Sequence, residues 1–451
     1  ESAMIQQERL QRLNDQPVCA GRYVLYWMQA SQRADCNHAL EYAVREANRL
    51  EQPVVVVFGL TDSFPDANAR HYRFMLEGLA QTQASLARRG IQLVVIRKDP
   101  PQAALSLARD ASLLVTDRGY LRIQKQWREQ VAAKAKCLVL QVESDVVVSV
   151  ETASQKEEYG ARTLRPKLHR LLEQFLVPLQ PTPPQHSSLA LPFEGLDLSD
   201  IPALLRQLKI AHEPSVSRFT GGTREGLDLF GQFLHDGLSR YDEFRSDALA
   251  DAVSHLSPYL HFGQLSPLQI ALAVQRQAEP DVASYLEQLI VRRELAMNFA
   301  HYNPGYDEYE QAVPQWARQT LFEHAADPRP LYTLEQLEHS ETADPYWNAA
   351  MREMVLTGFL HNYLRMYWGK KIIEWSPSPE EAYRRLVFLN NKYFLDGRDP
   401  ASWASIAWCF GKHDRPWPRR PVFGTVRYMN ANGLRRKFDA EEYVRRVAAL
   451  G

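Results

Sequence analysis

The sequence predicts two domains of different class: an N-terminal α/β domain with a doubly wound parallel sheet, followed by an all-helical C-terminal domain. Short continuous apolar runs alternate with helical patterns in the first part, which is typical of parallel strands covered on both faces. Later in the chain, apolar residues recur every three or four positions, as they do on amphipathic helices. We expect the α/β domain at residues 1–177, a linker at 178–212 and the helical domain at 213–451.

The predicted strands are rich in β-branched residues and are separated by segments long enough for a helix. No GxGxxG motif follows the first run, so the sequence does not predict dinucleotide binding there. A ligand site in this domain would lie at the carboxyl ends of the strands. The runs are Tyr23–Trp27, Val54–Phe58, Leu93–Ile96, Leu113–Val115 and Leu138–Leu140.

Residues 178–202 contain six prolines, which predicts an extended linker between the two domains. Beyond it the period is helical and no strand pattern of comparable strength appears. The predicted helical segments are 226–240, 265–278, 281–300, 346–375 and 379–392.

The composition is that of a water-soluble globular protein, with 45% hydrophobic and 24% charged residues. No apolar run approaches the roughly 20 residues that span a bilayer, so we expect no membrane segment. Four scattered cysteines without a CxxC pair favour a reduced, cytoplasmic setting and no metal site. Glu1 to Met4 carry no apolar signal core, and we expect Met4 to be the natural start of a monomeric protein.

The formal net charge is −1, yet the charges are unevenly distributed. From Lys412 to the end, ten Lys or Arg residues stand against four Asp or Glu residues. Such a local basic surface can hold a phosphate backbone, although a solvated basic tail has the same composition.

Three segments in the helical part contain more polar and charged side chains than packing alone requires. Asn362, Arg365 and Trp368 are three apart, so on a helix they share one face. An amide, a guanidinium and an indole together suit a planar polar ring, although a structural ion pair is the alternative. The segment from Ser254 to Ser257 predicts either an ordinary helix cap or an anion site, because a helix start offers free N–H groups.

The third segment is Asp396-Gly397-Arg398-Asp399-Pro400, with Asn390 shortly before it. Together with the S-x-L-S-P-Y-L sequence after Ser254, it resembles the class II DNA photolyases of the photolyase and cryptochrome family. The resemblance covers almost the whole chain. It implies light-driven repair of cyclobutane pyrimidine dimers in DNA, with reduced FAD as the electron donor.

The resemblance also implies roles for individual residues. Arg365 and Asp396 would bracket the flavin ring, and Asn390 would face flavin N5. The FAD-binding residues would be Tyr241, Ser254, His255, Leu256, Ser257, Asn362, Arg365, Asn390, Asp396 and Arg398. The catalytic residues at the lesion would be Gln288, Trp408, Arg245 and Asn390.

Three tryptophans match an electron relay in that family: Trp347, Trp368 and Trp375. Trp368 and Trp375 are seven apart, which is two helical turns or roughly 10 Å along one face. Their spacing alone is equally typical of core aromatic residues. Family members often carry a deazaflavin or folate antenna as well, and no residue here distinguishes the two.

Three positions depart from the class II pattern. Gln288 stands where Glu is usual, Met297 where Asp is usual, and Ala401-Ser402 where Asn-Gly is usual. A glutamine can hydrogen-bond a base but cannot donate a proton as an acid does. The alternative function is therefore a non-repair flavoprotein of the same fold, either a blue-light sensor or a photoenzyme with another substrate.

Overall fold

The computed structural model describes residues 5–451, and the expected start at Met4 lies outside this range. The predicted fold class is confirmed: a mainly parallel sheet flanked by helices precedes a purely helical C-terminal part. Within residues 5–451, no helix is both long enough and apolar enough to cross a membrane.

The sheet has six strands in the order β1-β6-β5-β2-β3-β4. All neighbouring pairs are parallel except β1 and β6, which are antiparallel. The five predicted strands are present, whereas the short edge strand β1 was not predicted, because its residues are mostly polar and exposed. The strands are β1 Leu10–Arg12, β2 Tyr23–Trp27, β3 Val54–Gly59, β4 Gln92–Ile96, β5 Ala111–Asp117 and β6 Leu138–Val142.

The helices of the first 212 residues cover the sheet and the segment after it. They are α1 His38–Arg49, α2 Ala69–Arg88, α3 Pro100–Ala108, α4 Arg122–Lys134, α5 Val150–Ala153, α6 Ala161–Phe175 and α7 Ile201–Gln207.

The remaining helices form the C-terminal part. They are α8 Thr223–Gln232, α9 Tyr241–Phe244, α10 Ser257–His261, α11 Pro267–Gln275, α12 Val282–Leu286, α13 Arg293–Tyr302, α14 Tyr309–Ala312, α15 Gln315–Glu323, α16 Leu334–Glu338, α17 Pro345–Thr357, α18 Asn362–Glu374, α19 Pro379–Tyr393, α20 Pro400–Cys409, α21 Ala431–Lys437 and α22 Ala440–Ala448.

Two predicted helical segments contain π-helical turns. Phe233–Gly237 follows α8, and Glu287–Arg292 joins α12 to α13. Periodicity does not reveal such turns, because one wide turn changes the apolar spacing by a single residue.

A third predicted helix, 346–375, is two helices that divide at Gly358. Gly358 has a φ of 71°, a left-handed conformation that ends α17. Its N–H and C=O bond to Met354 and Leu395, so the chain reverses close to a later loop.

The segment 178–212 is more closely packed than an extended linker. It contains α7, and four of its leucines are buried against the α/β core. These are Leu198, Leu204, Leu205 and Leu208. The proline content predicts the irregular backbone correctly but gives no information about this packing.

Residues at the start of α2 hold the C-terminal end of α19. Asn68 donates to the carbonyl of Lys392 at 2.8 Å, and His71 bonds the carbonyl of Phe394 at 2.9 Å. Arg70 donates to the carbonyls of Val355 at 2.8 Å and Tyr393 at 3.0 Å. The α/β part thus satisfies carbonyls at the ends of α17 and α19 that their own helices leave free.

We expect Gly358→Ala to destabilise the protein by roughly 2–4 kcal/mol. A left-handed conformation costs a residue with a Cβ about 1–2 kcal/mol. The added atom would also lie 2.7 Å from Leu395 Cγ, which adds an overpacking cost of similar size.

The matched control is Gly231→Ala, an exposed helical position with no heavy atom within 4 Å of the new Cβ. It should be neutral or stabilising by up to about 1 kcal/mol. Thermal unfolding of both variants tests the pair, and equal midpoints would contradict this account of Gly358.

Candidate active site

A cavity of about 1150 Å³ opens within the helical part. Most of the predicted site residues line it, and they come from distant parts of the chain. They are Tyr241, Arg245, Ser254, His255, Leu256, Ser257, Gln288, Asn362, Arg365, Asp396 and Trp408. The predicted residues Asn390, Arg398, Trp347, Trp368 and Trp375 do not line this cavity.

The Arg365 guanidinium is the most connected group in the wall. Its Nη1 donates to both carboxylate oxygens of Asp396 at 3.0 Å. Its Nη2 donates to Asn390 Oδ1 at 2.9 Å and to Ser402 Oγ at 3.0 Å. The ring of Phe394 lies 3.9 Å from the guanidinium carbon. The terminal N–H groups are thus committed to the protein, which fixes the guanidinium plane at the cavity.

Local structure brings these partners together. Arg365 lies one turn into α18, which begins shortly after the left-handed Gly358 ends α17. Asp396 lies in the tight loop between α19 and α20, and Asp399 caps α20 by accepting from the N–H of Ala401 at 2.9 Å. His261 bonds the other carboxylate oxygen of Asp399 at 2.9 Å.

Ser402 is part of this network, which sequence reasoning missed. Its Oγ accepts from Asn390 Nδ2 at 2.7 Å as well as from Arg365. The residue is 1% exposed, so the hydroxyl replaces water for two buried donors. Ser402, which stands where the class II pattern has glycine, therefore supplies a hydrogen-bond acceptor on the predicted flavin side of the cavity.

Asn390 itself lies behind the cavity wall. Its amide is buried, and Nδ2 donates to Asn391 Oδ1 at 3.0 Å and to Ser402. Its side chain does not reach the cavity surface, contrary to expectation. It bonds Arg365, which does line the cavity.

Arg398 is also turned away from the large cavity. It has a φ of 73° and donates to the carbonyl of Asn391 at 2.8 Å. The positive φ directs it toward a second cavity of about 110 Å³ beside the carboxyl ends of β2 and β3. Met28, Phe64 and Trp127 line that smaller cavity.

The segment from Ser254 to Ser257 lies along one side of the large cavity. Ser257 Oγ donates to Asp396 Oδ2 at 3.1 Å, and Ser254 Oγ accepts from Tyr285 at 3.0 Å. His255 has a φ of 58° and lines the cavity between them. Tyr241 is buried beside Tyr285, and burial raises the pKa of its hydroxyl to about 12.

The three residues expected to share one face of α18 differ in how deeply they are buried. Asn362 is exposed and Arg365 is half-buried, whereas Trp368 is fully buried in the core. The three side chains therefore form a line from solvent to the interior, and only the first two line the cavity.

The three tryptophans contact one another in an order that the sequence did not predict. Trp347 lies between the other two: its Nε1 donates to the Trp368 carbonyl at 2.9 Å, and its ring lies 5.4 Å from that of Trp375. Trp368 lies 5.7 Å from the ring of Phe394, which contacts Arg365. Contacts thus run from Arg365 at the cavity wall through Phe394, Trp368 and Trp347 to Trp375, and the step from Trp368 to Trp347 is a hydrogen bond to the main chain.

Cations and aromatic rings alternate at the cavity mouth. Two cations contact the ring of Trp408: Lys370, whose Nζ is 4.9 Å from the ring centre, and Arg427, whose guanidinium carbon is 5.5 Å away. Arg427 also lies 4.1 Å from the ring of Trp417, and so does Arg415. Together with Arg420 and Arg436, these residues make the rim basic.

Gln288 and Met297, two of the positions that depart from the class II pattern, lie in different surroundings. Gln288 lines the cavity from the π-helical turn 287–292. Met297 is 3% exposed and belongs to the hydrophobic core, away from the cavity surface. The expectation that Met297 lies on the active side is therefore wrong, because the side chain packs inward from α13.

Comparison with known proteins agrees with this architecture. The DNA photolyase family model matches residues 24–185. Over 99% of both chains, the protein is 50% identical to a protein of Methanothermobacter thermautotrophicus named deoxyribodipyrimidine photo-lyase. An Arabidopsis thaliana protein of the same name is 40% identical over 95% of this chain and 89% of its own.

The chain belongs to the photolyase/cryptochrome family. Solved structures of this family share its fold. A class III photolyase from Agrobacterium tumefaciens is 21% identical, with a TM-score of 0.75 over 96% of this chain and 87% of its own. A cryptochrome from Synechocystis is 18% identical, with a TM-score of 0.74 over 95% and 88%. These likenesses concern the fold alone, and class II membership stays a prediction.

We expect Lys370→Met to remove a pH dependence of stability. Burial lowers the pKa of Lys370 to about 8, from an ordinary value of 10.5. Between these values the unfolded chain holds the proton and the folded chain does not, so wild-type stability rises with pH. The stability of wild type relative to the variant should therefore increase by on the order of 3 kcal/mol from pH 8 to 10.5.

Thermal unfolding of both proteins from pH 7 to 10.5 measures this difference. A difference that stays constant over the range would show that the buried ammonium keeps an ordinary affinity for its proton.

Proposed function

We propose that the protein is a deoxyribodipyrimidine photo-lyase that repairs cyclobutane pyrimidine dimers in DNA under blue light. The observation that carries the proposal is the large cavity, whose wall contains both the fixed Arg365–Asp396 pair and Trp408 and whose rim is basic. The photo-lyase name of relatives that are 40–50% identical over most of the chain supports it.

The cavity fits FAD in size and in polar groups. Its volume exceeds the roughly 300–1,000 Å³ of common ligand sites, which leaves room for a dinucleotide and a flipped-out dimer. Within residues 5–451, three of its buried polar atoms have no partner: His255 Nδ1, His413 Nε2 and Trp417 Nε1. A solved archaeal photolyase of this fold, from Sulfolobus tokodaii, is described with two FAD molecules.

Arg365, Asp396, Ser254 and Ser257 would hold the cofactor. When bound, reduced FAD supplies the light-driven electron that opens the cyclobutane ring. The chain keeps a positive charge fixed at the flavin side, because four terminal N–H groups of Arg365 are already bonded. A fixed charge of this kind needs no reorganisation when charge moves.

The rim binds the other substrate. Arg420, Arg427 and Arg436 at the cavity mouth can neutralise phosphates on either side of a lesion. A flipped-out dimer can stack on Trp408, and Gln288 can hydrogen-bond its carbonyl groups from the opposite side.

The small cavity near β2 and β3 is where we propose an antenna chromophore. It lies at the carboxyl ends of parallel strands, where ligands of doubly wound sheets bind. At about 110 Å³ it is smaller than a deazaflavin or folate requires, so side chains such as Arg398 would have to move aside.

The alternative is a flavoprotein of the same fold that does not repair DNA, such as a blue-light sensor. Gln288 favours it, because this cavity residue lacks the acidic group of the class II pattern. The discriminating experiment is blue illumination of the reduced protein with a dimer-containing oligonucleotide. Restored thymines support repair, and FAD-loaded protein that restores none would favour the alternative.

We expect Trp368→Phe to reduce flavin photoreduction to a small fraction of the wild-type rate while leaving FAD bound. Phenylalanine keeps most of the packing but is much harder to oxidise. The measurement is the loss of oxidised-flavin absorbance under blue light with a thiol reductant. Trp403→Phe is the control, because it changes a buried indole that packs on Tyr306, outside the relay.

If Trp368→Phe photoreduces like wild type, the three tryptophans are core aromatic residues only.

We expect Gln288→Glu to raise the repair yield severalfold, because a carboxylic acid can donate a proton or a stronger hydrogen bond to the reduced dimer. DNA affinity should change little, since phosphate contacts supply most of it. Repair per absorbed photon is measured with the flavin reduced beforehand. Gln319→Glu adds the same charge at an exposed site outside the cavity and should leave the yield unchanged.

A yield that falls or stays equal in Gln288→Glu would mean that the amide, and not an acid, is the functional group at this position.

A further inference from the structure

Lys370 is a buried cation whose position packing does not explain. The residue is 0% exposed, and its Nζ donates to the carbonyl of Cys409 at 2.7 Å. Asp414 contributes a favourable charge from farther away, without a hydrogen bond to the ammonium. Burying an ammonium without an ion-pair partner is costly, and a methionine would fill the same space. The positive charge of Lys370 therefore needs a functional explanation.

The ammonium faces Trp408 together with a second cation. Lys370 Nζ and the Arg427 guanidinium carbon lie 4.9 and 5.5 Å from the centre of the Trp408 ring. Asp414 holds Arg427 with two hydrogen bonds, at 2.7 and 3.0 Å. The two positive charges are thus fixed beside one indole.

The inner tryptophans of the relay have different neighbours. Trp347 contacts Trp375 and the carbonyl of Trp368, and the Trp368 indole donates to Met351 Sδ at 3.3 Å. Within residues 5–451, no lysine or arginine lies over either ring at cation–π distance. Trp408 and Trp417 both line the cavity with two cations over their rings, but only at Trp408 is one of the two a fully buried ammonium, that of Lys370.

A nearby positive charge makes an indole harder to oxidise. It attracts the π electrons of the neutral ring and repels the radical cation that remains after an electron leaves. The effect is large where water is excluded, as it is at Lys370.

We propose that Lys370 and Arg427 prevent Trp408 from giving an electron to photoexcited oxidised FAD, so that oxidation passes through Trp368. Lys370 is then a positioning residue that acts through Trp408. In the favoured path the Trp368 indole would give up one electron to bound oxidised FAD, and a thiol reductant would restore the relay. The inference rests on the proposed function, because it requires FAD in the large cavity.

The test uses a chain whose normal path is blocked. Trp368→Phe should photoreduce slowly, and adding Lys370→Met should raise the rate about fivefold or more, because Trp408 becomes a usable donor. Adding Trp408→Phe as a third change should return the rate to the slow value.

The matched control replaces Lys370→Met with Lys371→Met in the Trp368→Phe chain. Lys371 is the next residue on α18 but pairs with Glu374 and lies over Tyr367 and Trp375. This pair of changes should leave photoreduction slow. No acceleration in the Lys370 double variant, or acceleration that survives Trp408→Phe, would overturn the inference.

A second measurement needs no flavin. The fluorescence of Trp408, taken as wild type minus Trp408→Phe, should change from pH 7 to 9.5 as Lys370 loses its proton. The charged or titratable groups facing Lys370 are Cys409, Asp414 and Arg427, and all three remain in Lys370→Met. The change should therefore vanish in that variant. Its persistence would overturn the inference, whereas failure to bind FAD would separately reject the proposed function.

Discussion

The cavity wall depends on the fact that a guanidinium can donate hydrogen bonds but never accept them. Every group that hydrogen-bonds Arg365 must therefore present an acceptor oxygen, and Asp396, Asn390 and Ser402 do so. This requirement orients the Asn390 amide, whose nitrogen then donates to Asn391 and Ser402. One side chain on α18 thus determines how the end of α19, the following loop and the start of α20 are arranged.

The other side of the same segment is held by the α/β part. Asn68, Arg70 and His71 bond carbonyls at the ends of α17 and α19, and Asn391 donates to Asp66 at 3.1 Å. His71 accepts from the N–H of Asn68 through Nδ1, so its Nε2 carries the proton and donates to Phe394. The loop that bears Asp396 is consequently fixed from both sides, which is what a preorganised site requires.

The strands and most long helices could be predicted from periodicity, because it records which face is buried. The edge strand β1, the π-helical turns and the packed leucines after residue 197 could not, since they leave weak or irregular patterns. The family resemblance predicted that Arg365, Asp396 and Trp408 belong to one site, and in the structure all three line one cavity. It did not predict that Arg398 lines the smaller cavity or that Met297 lies in the hydrophobic core. Ser402 and Lys370 acquire their contacts from residues 12 to 39 positions away, which no local pattern encodes.

The bonds from Asn68, Arg70 and His71 also bear on how this architecture was inherited. A foreign α/β part joined by recombination at the linker would take away the side-chain donors that now serve the carbonyls of Val355, Lys392 and Tyr393. Such a hybrid would be unstable even if both halves were individually sound. The two parts differ in fold class, yet each supplies hydrogen bonds that the other needs.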